Sequence, residues 1–219
     1  MDDEGLTVLP DTAAPDAGPA RRRAVTPRHA ASLIVVRRSP HGPEMLMGMR
    51  GAKHRFMPNR LVFPGGAVDR ADWRARFAAP LRPDVLMRLA KASTPRLAPA
   101  LAVAAARELA EETGLSLGTP PHLDGLDYLC RAITPPEHPI RFNARFLVVD
   151  AERVGGRLGG SGELEALRWF AMPEALALDL VLVTRKVLQQ LQSYLMLSDA
   201  ERRGRDRTPV LRQRAWQME

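Results

Sequence analysis

Arg107-Glu108-Leu109-Ala110-Glu111-Glu112-Thr113-Gly114-Leu115 is the stretch whose reading decides the fold. It lies in Ala100–Thr113, a segment rich in Ala, Leu and Glu, with Pro99 near its start and Gly114 just past its end. That composition and punctuation predict a helix over Ala100–Thr113. Residues three and four apart on a helix share a face, so Glu108, Glu111 and Glu112 project together. Clustered carboxylates repel one another unless something positive lies among them. Oxygen ligands of this hardness suit Mg²⁺ or Mn²⁺ rather than zinc. Arg107, four residues before Glu111, is placed to orient it through a charge-assisted hydrogen bond. Taken alone, the same motif also fits a solvated acidic helix face.

What lifts the motif is its company. Upstream stands Phe63-Pro64-Gly65-Gly66, a short apolar run ending in paired glycines, where backbone can approach a ligand closely. Six residues after Gly66 comes Asp72. The rest of the chain reads as mixed α and β. Strands are expected at His29–Arg37, Glu44–Arg50, Leu61–Phe63, Leu126–Thr134, Ile140–Val149 and Ala166–Phe170, bounded by Pro and Gly. Asp72–Lys91 carries apolar residues at helical spacing, and Pro80 and Pro83 divide it into two expected short helices. Pro173–Leu197 is expected to be mostly helix, with a core-facing stripe through Leu180, Val183, Val187, Leu191 and Tyr194.

The combined pattern resembles the Nudix hydrolase family. The family's box runs from a glycine, through an acid six residues on, to an Arg-Glu-apolar-x-Glu-Glu-x-Gly-apolar helix. Arg107–Leu115 matches the second half at every defined position; Gly66 and Asp72 match the first, with Asp where the family usually has Glu. One departure is large: 34 residues lie between Asp72 and Arg107 where the family has seven, an excess of 27. The halves can still meet if Trp73–Pro99 forms a helical excursion, since each doubling of loop length costs only about 0.6 kcal/mol. An enlarged-box subset that includes coenzyme A diphosphatases carries such an insertion. The coenzyme A branch also has an Arg, a second Arg five residues later, and a terminal Phe-Pro-Gly-Gly. Arg50, Arg55 and Phe63–Gly66 stand at those spacings, with Gly51 in place of a Ser or Ala and Asn59 in place of a Gly. Thr134-Pro135 followed by Arg141–Phe146 is similar to the same subset.

The resemblance implies an α/β fold, a Nudix-type α/β/α sandwich around a mixed sheet with a helical insertion inside the box. It implies Mg²⁺ or Mn²⁺ on Glu108, Glu111, Glu112 and the carbonyl of Gly66, and substrate contacts from Arg50, Arg55 and Gly65. Glu111 and Glu112, or the distal acids Glu163 and Glu165, are the candidate bases, with Arg107 orienting the box. The implied reaction is hydrolysis of coenzyme A or an acyl-CoA to phosphopantetheine and adenosine 3′,5′-bisphosphate. The same chemistry on ADP-ribose, an ADP-sugar, a dinucleoside polyphosphate, a nucleoside triphosphate or capped RNA is the alternative. A nucleotide-binding module without turnover is a reading of another class, and the three intact box glutamates oppose it.

Composition sets the remaining expectations. The 219-residue chain suits one sizeable domain with extra segments: a flexible leader over 1–28, a Nudix domain over 29–199 with the insertion at 73–99, and a basic flexible tail over 200–219. The net charge of +7 is concentrated at Arg21–Arg23, in Trp73–Val103 and in the tail. No nucleic-acid-binding motif accompanies it, so a small nucleotide is expected as partner rather than nucleic acid. No apolar run is long enough to cross a bilayer, and no membrane partner is expected. A homodimer built on the insertion is compatible with the sequence. The single cysteine, Cys130, lies in an apolar run and reads as a buried structural thiol, consistent with a reducing cytoplasm. The five histidines show no metal-ligand spacing.

Overall fold

The structure, a computed structural model, describes residues 25–51, 59–91, 93–160 and 162–219. The first half of the chain contains β1 (Arg28–Ser39), β2 (Gly42–Arg50), β3 (Leu61–Val62), β4 (Gly65–Ala67), α1 (Pro83–Ala90) and α2 (Leu97–Thr113). The second half continues with β5 (Leu115–Ser116), β6 (Asp127–Ile133), β7 (Phe142–Asp150), β8 (Gly155–Gly156) and β9 (Leu164–Ala171). It ends with α3 (Met172–Ala177), α4 (Leu182–Leu195), α5 (Asp199–Arg203), β10 (Pro209–Arg212) and β11 (Ala215–Met218).

Among the described residues one mixed sheet runs in the order β11-β10-β6-β7-β1-β2-β3, with β4 also on β1 and β9 also on β2. β1 and β7 are parallel, as are β10 and β6; the other pairs are antiparallel. β1 is apolar on both faces because helices cover both. Ala31, Leu33 and Val35 pack with Leu101, Ala105 and Leu109 of α2 and with Val85 and Leu89 of α1. Ile34 and Val36 pack on the opposite side with Val187, Leu188 and Leu191 of α4. The alternation of a strand and the period of a helix thus produce an α/β/α sandwich.

α2 begins three residues earlier than its composition suggests, because the Thr94 hydroxyl accepts from the Leu97 N–H at 3.2 Å. It ends where expected: Gly114 adopts φ 71°, which closes the helix in the left-handed region glycine favours. Cys130 is fully buried.

Three expectations are corrected. The two expected helices of Asp72–Lys91 reduce to one, α1, with Pro83 in its first turn. Instead of coiling, the segment before it bonds sideways: Ala78 N–H donates to Pro121 O, and Leu123 N–H donates to Ala79 O, both at 2.9 Å. Trp73 and Phe77, whose spacing suggested a helix face, remain 45% and 39% exposed. Pro173–Leu197 is mostly helix, as expected, in two pieces that part where Leu180 turns into the core. The tail expected to be flexible is ordered from Asp199 onward. Val210 and Leu211 are buried and β10 joins the sheet beside β6. The leader expected over 1–28 lies outside the described residues up to residue 24; its last residue, Arg28, already belongs to β1.

Candidate active site

The register between β1 and β4 builds the site. It sets Gly65 opposite Ser32 and Gly66 opposite Ala31. A Cβ at Gly65 would overlap Ser32 and the Ala31 carbonyl, and one at Gly66 would overlap the Glu108 carboxylate. The paired glycines therefore let strand and helix approach more closely than any side chain allows. Glu112, 2% exposed, accepts from the Gly65 N–H at 2.8 Å. Two of the three box glutamates thus converge on the glycine turn.

Arg107 closes the long excursion. Its Nε donates to Asp72 Oδ1 at 3.0 Å and its Nη2 to Asp72 Oδ2 at 3.2 Å, a bidentate pair, while Nη2 also reaches Ala67 O at 3.1 Å. Asp72 is itself buried and accepts from the Asp69 N–H at 2.7 Å. The two halves of the box therefore meet despite the insertion. Asp72 serves Arg107; it is not among the cleft-lining residues. Nη1 of Arg107 lies 2.9 Å from Glu108 Oε1 and 2.8 Å from Glu111 Oε2. Burial would lower the Arg107 pKa, but hydrogen bonding to Asp72 and the charges of Glu108 and Asp72 outweigh it and hold it above its ordinary value.

The glutamates differ. Glu112 is pushed up to about 7, first by burial, with Glu108 and Glu163 adding to the rise and the Gly65 N–H and Arg50 opposing it. Glu108 is also raised, chiefly by burial, with Arg107 opposing and Glu111 and Glu163 adding. Glu111, its side chain 56% exposed, stays on Arg107 and does not line the cleft. Among the described residues no three of His, Cys, Asp and Glu are grouped closely enough to hold a metal ion. The expected meeting of all three carboxylates is thus corrected: Glu108 and Glu112 stand at the glycines, while Glu111 turns out onto Arg107, which Glu108 also touches. Like charges spread to the positive partners within reach.

These carboxylates stand at the mouth of a cavity of about 610 Å³, a size suited to a nucleotide. Glu108, Glu112, Glu163, Arg50 and Gly66 line one end; Phe63, Ala132, Ala144, Phe146 and Leu211 give an apolar floor. Arg50 Nε is buried without an acceptor among the described residues, and Nη2 reaches Gly65 O only at 3.5 Å. Glu163 lines the cleft, whereas Glu165 is exposed outside it. Arg55 lies outside the described residues. Sequence reasoning missed Arg28, His138, Val183 and Arg214, which also line the cavity. They come from four distant segments, and no local pattern marks them.

Comparison with known proteins agrees with this geometry. A NUDIX domain model matches residues 98–191. A NUDIX hydrolase from Alicyclobacillus acidocaldarius is 28% identical, with TM-score 0.58, covering 75% of this chain and 90% of that one. A MutT NUDIX hydrolase from Burkholderia pseudomallei is 22% identical, with TM-score 0.50, covering 76% and 99%. The NUDIX domain of Shewanella oneidensis NrtR, complexed with ADP ribose, is 13% identical, with TM-score 0.52, covering 78% and 90%. No curated protein matches the chain by sequence. The fold is the Nudix fold. With its box helix set against the glycine turn, the chain is similar to Nudix hydrolases in fold and in site, and the comparisons support a Nudix hydrolase enzyme.

Nudix hydrolases generally use divalent metal ions, and the site fits one. Its donors are all oxygens, and the space that a Cβ at Gly66 would fill is a cradle between backbone and the Glu108 carboxylate. One buried acid, Glu112, and one half-buried acid, Glu108, both with raised pKa values, mark a place short of positive charge.

Proposed function

We propose that the protein hydrolyses the diphosphate linkage of a nucleoside diphosphate-X compound with Mg²⁺ or Mn²⁺, and that coenzyme A or an acyl-CoA is the substrate. The observation that carries this reading is the convergence of Glu108 and Glu112 on Gly65-Gly66 at the mouth of a nucleotide-sized cleft. Glu108, Glu112 and the Gly66 carbonyl would hold the cation. Glu111 would join them only by giving up its exposed contact to Arg107, which is worth at most about 1 kcal/mol. When bound, the cation neutralises the charge that grows on the phosphate oxygens in the transition state.

The chain's own residues do the rest. Arg50, whose Nε has no acceptor among the described residues, binds a phosphate oxygen. Glu163 faces Glu108 and Glu112 across the cleft and takes the proton of the attacking water; its position favours it over Glu165. Arg107, locked by Asp72, holds the box helix in register with the glycines. Hydrolysis adds water across the P–O–P bridge and releases two phosphate monoesters.

Two features support coenzyme A. Arg50 lines the cleft, and so do Thr134, Pro135, Phe142 and Phe146, from the stretch similar to the enlarged-box subset. ADP-ribose is the second reading, because the Shewanella domain is complexed with ADP ribose and shares the fold. A panel of diphosphates with Mg²⁺ or Mn²⁺, products read by mass spectrometry, tests both. Adenosine 3′,5′-bisphosphate from coenzyme A is expected. Cleavage of ADP-ribose alone replaces the substrate, and no product from any diphosphate overturns the reaction.

A further inference from the structure

We propose that Arg28 and Arg214 form a second anion subsite at the far end of the cleft, which selects nucleotides bearing a phosphomonoester besides the diphosphate. This rests on the hydrolytic reading for its context but not for its test. Strand register fixes the placement. Arg28 opens β1 three residues before Ala31, the residue opposite Gly66, so its backbone lies about 10 Å along the strand from the glycine turn. Arg28 pairs with Phe142 of β7, and the Phe142 carbonyl accepts from Thr134 N–H beyond β6. Leu211 of β10 pairs with Ala132 of β6, which carries the β10–β11 turn to the same end of the sheet. Arg28 and Arg214 both line the cavity there.

Charge is segregated along the cleft. Its lining acids, Glu108, Glu112 and Glu163, act on one another and belong to the glycine end. The far end holds Arg28, Arg214 and His138; Arg28 and Arg214 are exposed, and no hydrogen bond or ion pair engages their guanidinium groups among the described residues. An apolar floor through Ala144, Phe146 and Leu211 separates the poles. A ligand that satisfies both needs a diphosphate, a flat or apolar spacer, and a further anion.

The turn that carries Arg214 adds an independent sign. Gln213 and Arg214 form a two-residue hairpin loop with φ of 46° and 68°. Asn and Gly fit such positions without strain, and a long side chain there costs of order 1 kcal/mol. Holding a cation on a short, strained turn fixes its charge at the cavity rather than leaving it to a flexible loop.

The test uses two ligand pairs that differ by one ribose phosphomonoester: coenzyme A against dephospho-coenzyme A, and NADPH against NADH. Affinities are read by isothermal titration, and turnover is read separately with Mg²⁺. The phosphorylated member of each pair is expected to bind roughly tenfold or more tighter, the worth of a charge-assisted hydrogen bond. R28A and R214A should each erase most of that preference while leaving the affinity for dephospho-coenzyme A and NADH nearly unchanged. R212A removes the same charge from a residue that does not line the cavity, and should keep the preference. Equal affinities in the unaltered protein, no binding of either pair, or a preference that survives in both R28A and R214A overturns the subsite. Turnover of all four without preference sinks the subsite and leaves hydrolysis standing. Selective binding without product does the reverse.

Discussion

Asp127 and Glu112 are two carboxylates buried almost equally, at 5% and 2% exposure, yet their proton affinities move in opposite directions. Burial raises both. At Asp127 that rise is overcome by Arg205 at 3.1 Å, Arg88 at 2.5 Å and the Tyr194 hydroxyl at 2.8 Å, so its pKa falls below the ordinary value. At Glu112 one backbone N–H and a more distant Arg50 face the charges of Glu108 and Glu163, and the carboxyl stays at about 7. The first is a finished structural joint that ties α1, β6, α4 and the C-terminal segment together. The second is left short of positive charge in the place where a cation would supply it. A buried acid with its partners already present stabilises the fold; one without them marks the site.

Four measurements break or sharpen that contrast. The largest effect is expected from E112Q and E111Q, each of which should cut turnover by about a thousandfold, the scale of losing a preorganised charge partner in a transition state. Circular dichroism should be unchanged, and near-normal turnover at saturating Mg²⁺ would remove the metal assignment. D127N should leave chemistry largely intact but strand Arg88 and Arg205 without an anion. A loss of about 3 kcal/mol, read as a fall in Tm of roughly 6–12 °C, is expected. An unchanged Tm would show that the joint is not structural.

The third measurement is stability against pH in EDTA. Glu112 titrates near 7 in the fold against an ordinary 4.5, so the folded state keeps a proton that the unfolded chain has lost. Stability contributed by that proton is full below pH 4.5 and is lost as pH rises to 7, by up to about 3 kcal/mol. E112Q should flatten that slope; an identical slope would mean Glu112 is not the group responsible. Asp127, depressed, contributes in the opposite sense and loses its share as pH falls below its ordinary range. The smallest effect belongs to D72N, which weakens the bidentate hold on Arg107 and should lower kcat about tenfold with KM little changed. A larger change in KM than in kcat would place Asp72 at the substrate instead.

The legible part of the molecule was the part written locally. Helix period placed Glu108 and Glu112 on one face, and Gly114 ended that helix in sequence and in space. The glycines after Phe63 were recognisable, though not the reason for them, since the Ser32 and Glu108 atoms they accommodate come from distant segments. Glu111 illustrates the limit: period grouped it with its neighbours, but the side chain follows Arg107, a choice decided by competing charges. Trp73 and Phe77 had helical spacing without a helix, because their segment finds backbone partners at residues 121–123.

By itself, the sequence determined the class of chemistry: acids at helical spacing and a glycine turn are short-range patterns that backbone geometry converts directly into position. Only the tertiary structure decided that Asp72 reaches across a 34-residue excursion to Arg107, that a basic tail becomes a strand and cleft wall, and that Arg28 and Arg214 both line one cavity. Those outcomes depend on register and on buried pairing between distant segments. Such contacts leave no period in a sequence, because each is set by what the rest of the chain has already packed beside it.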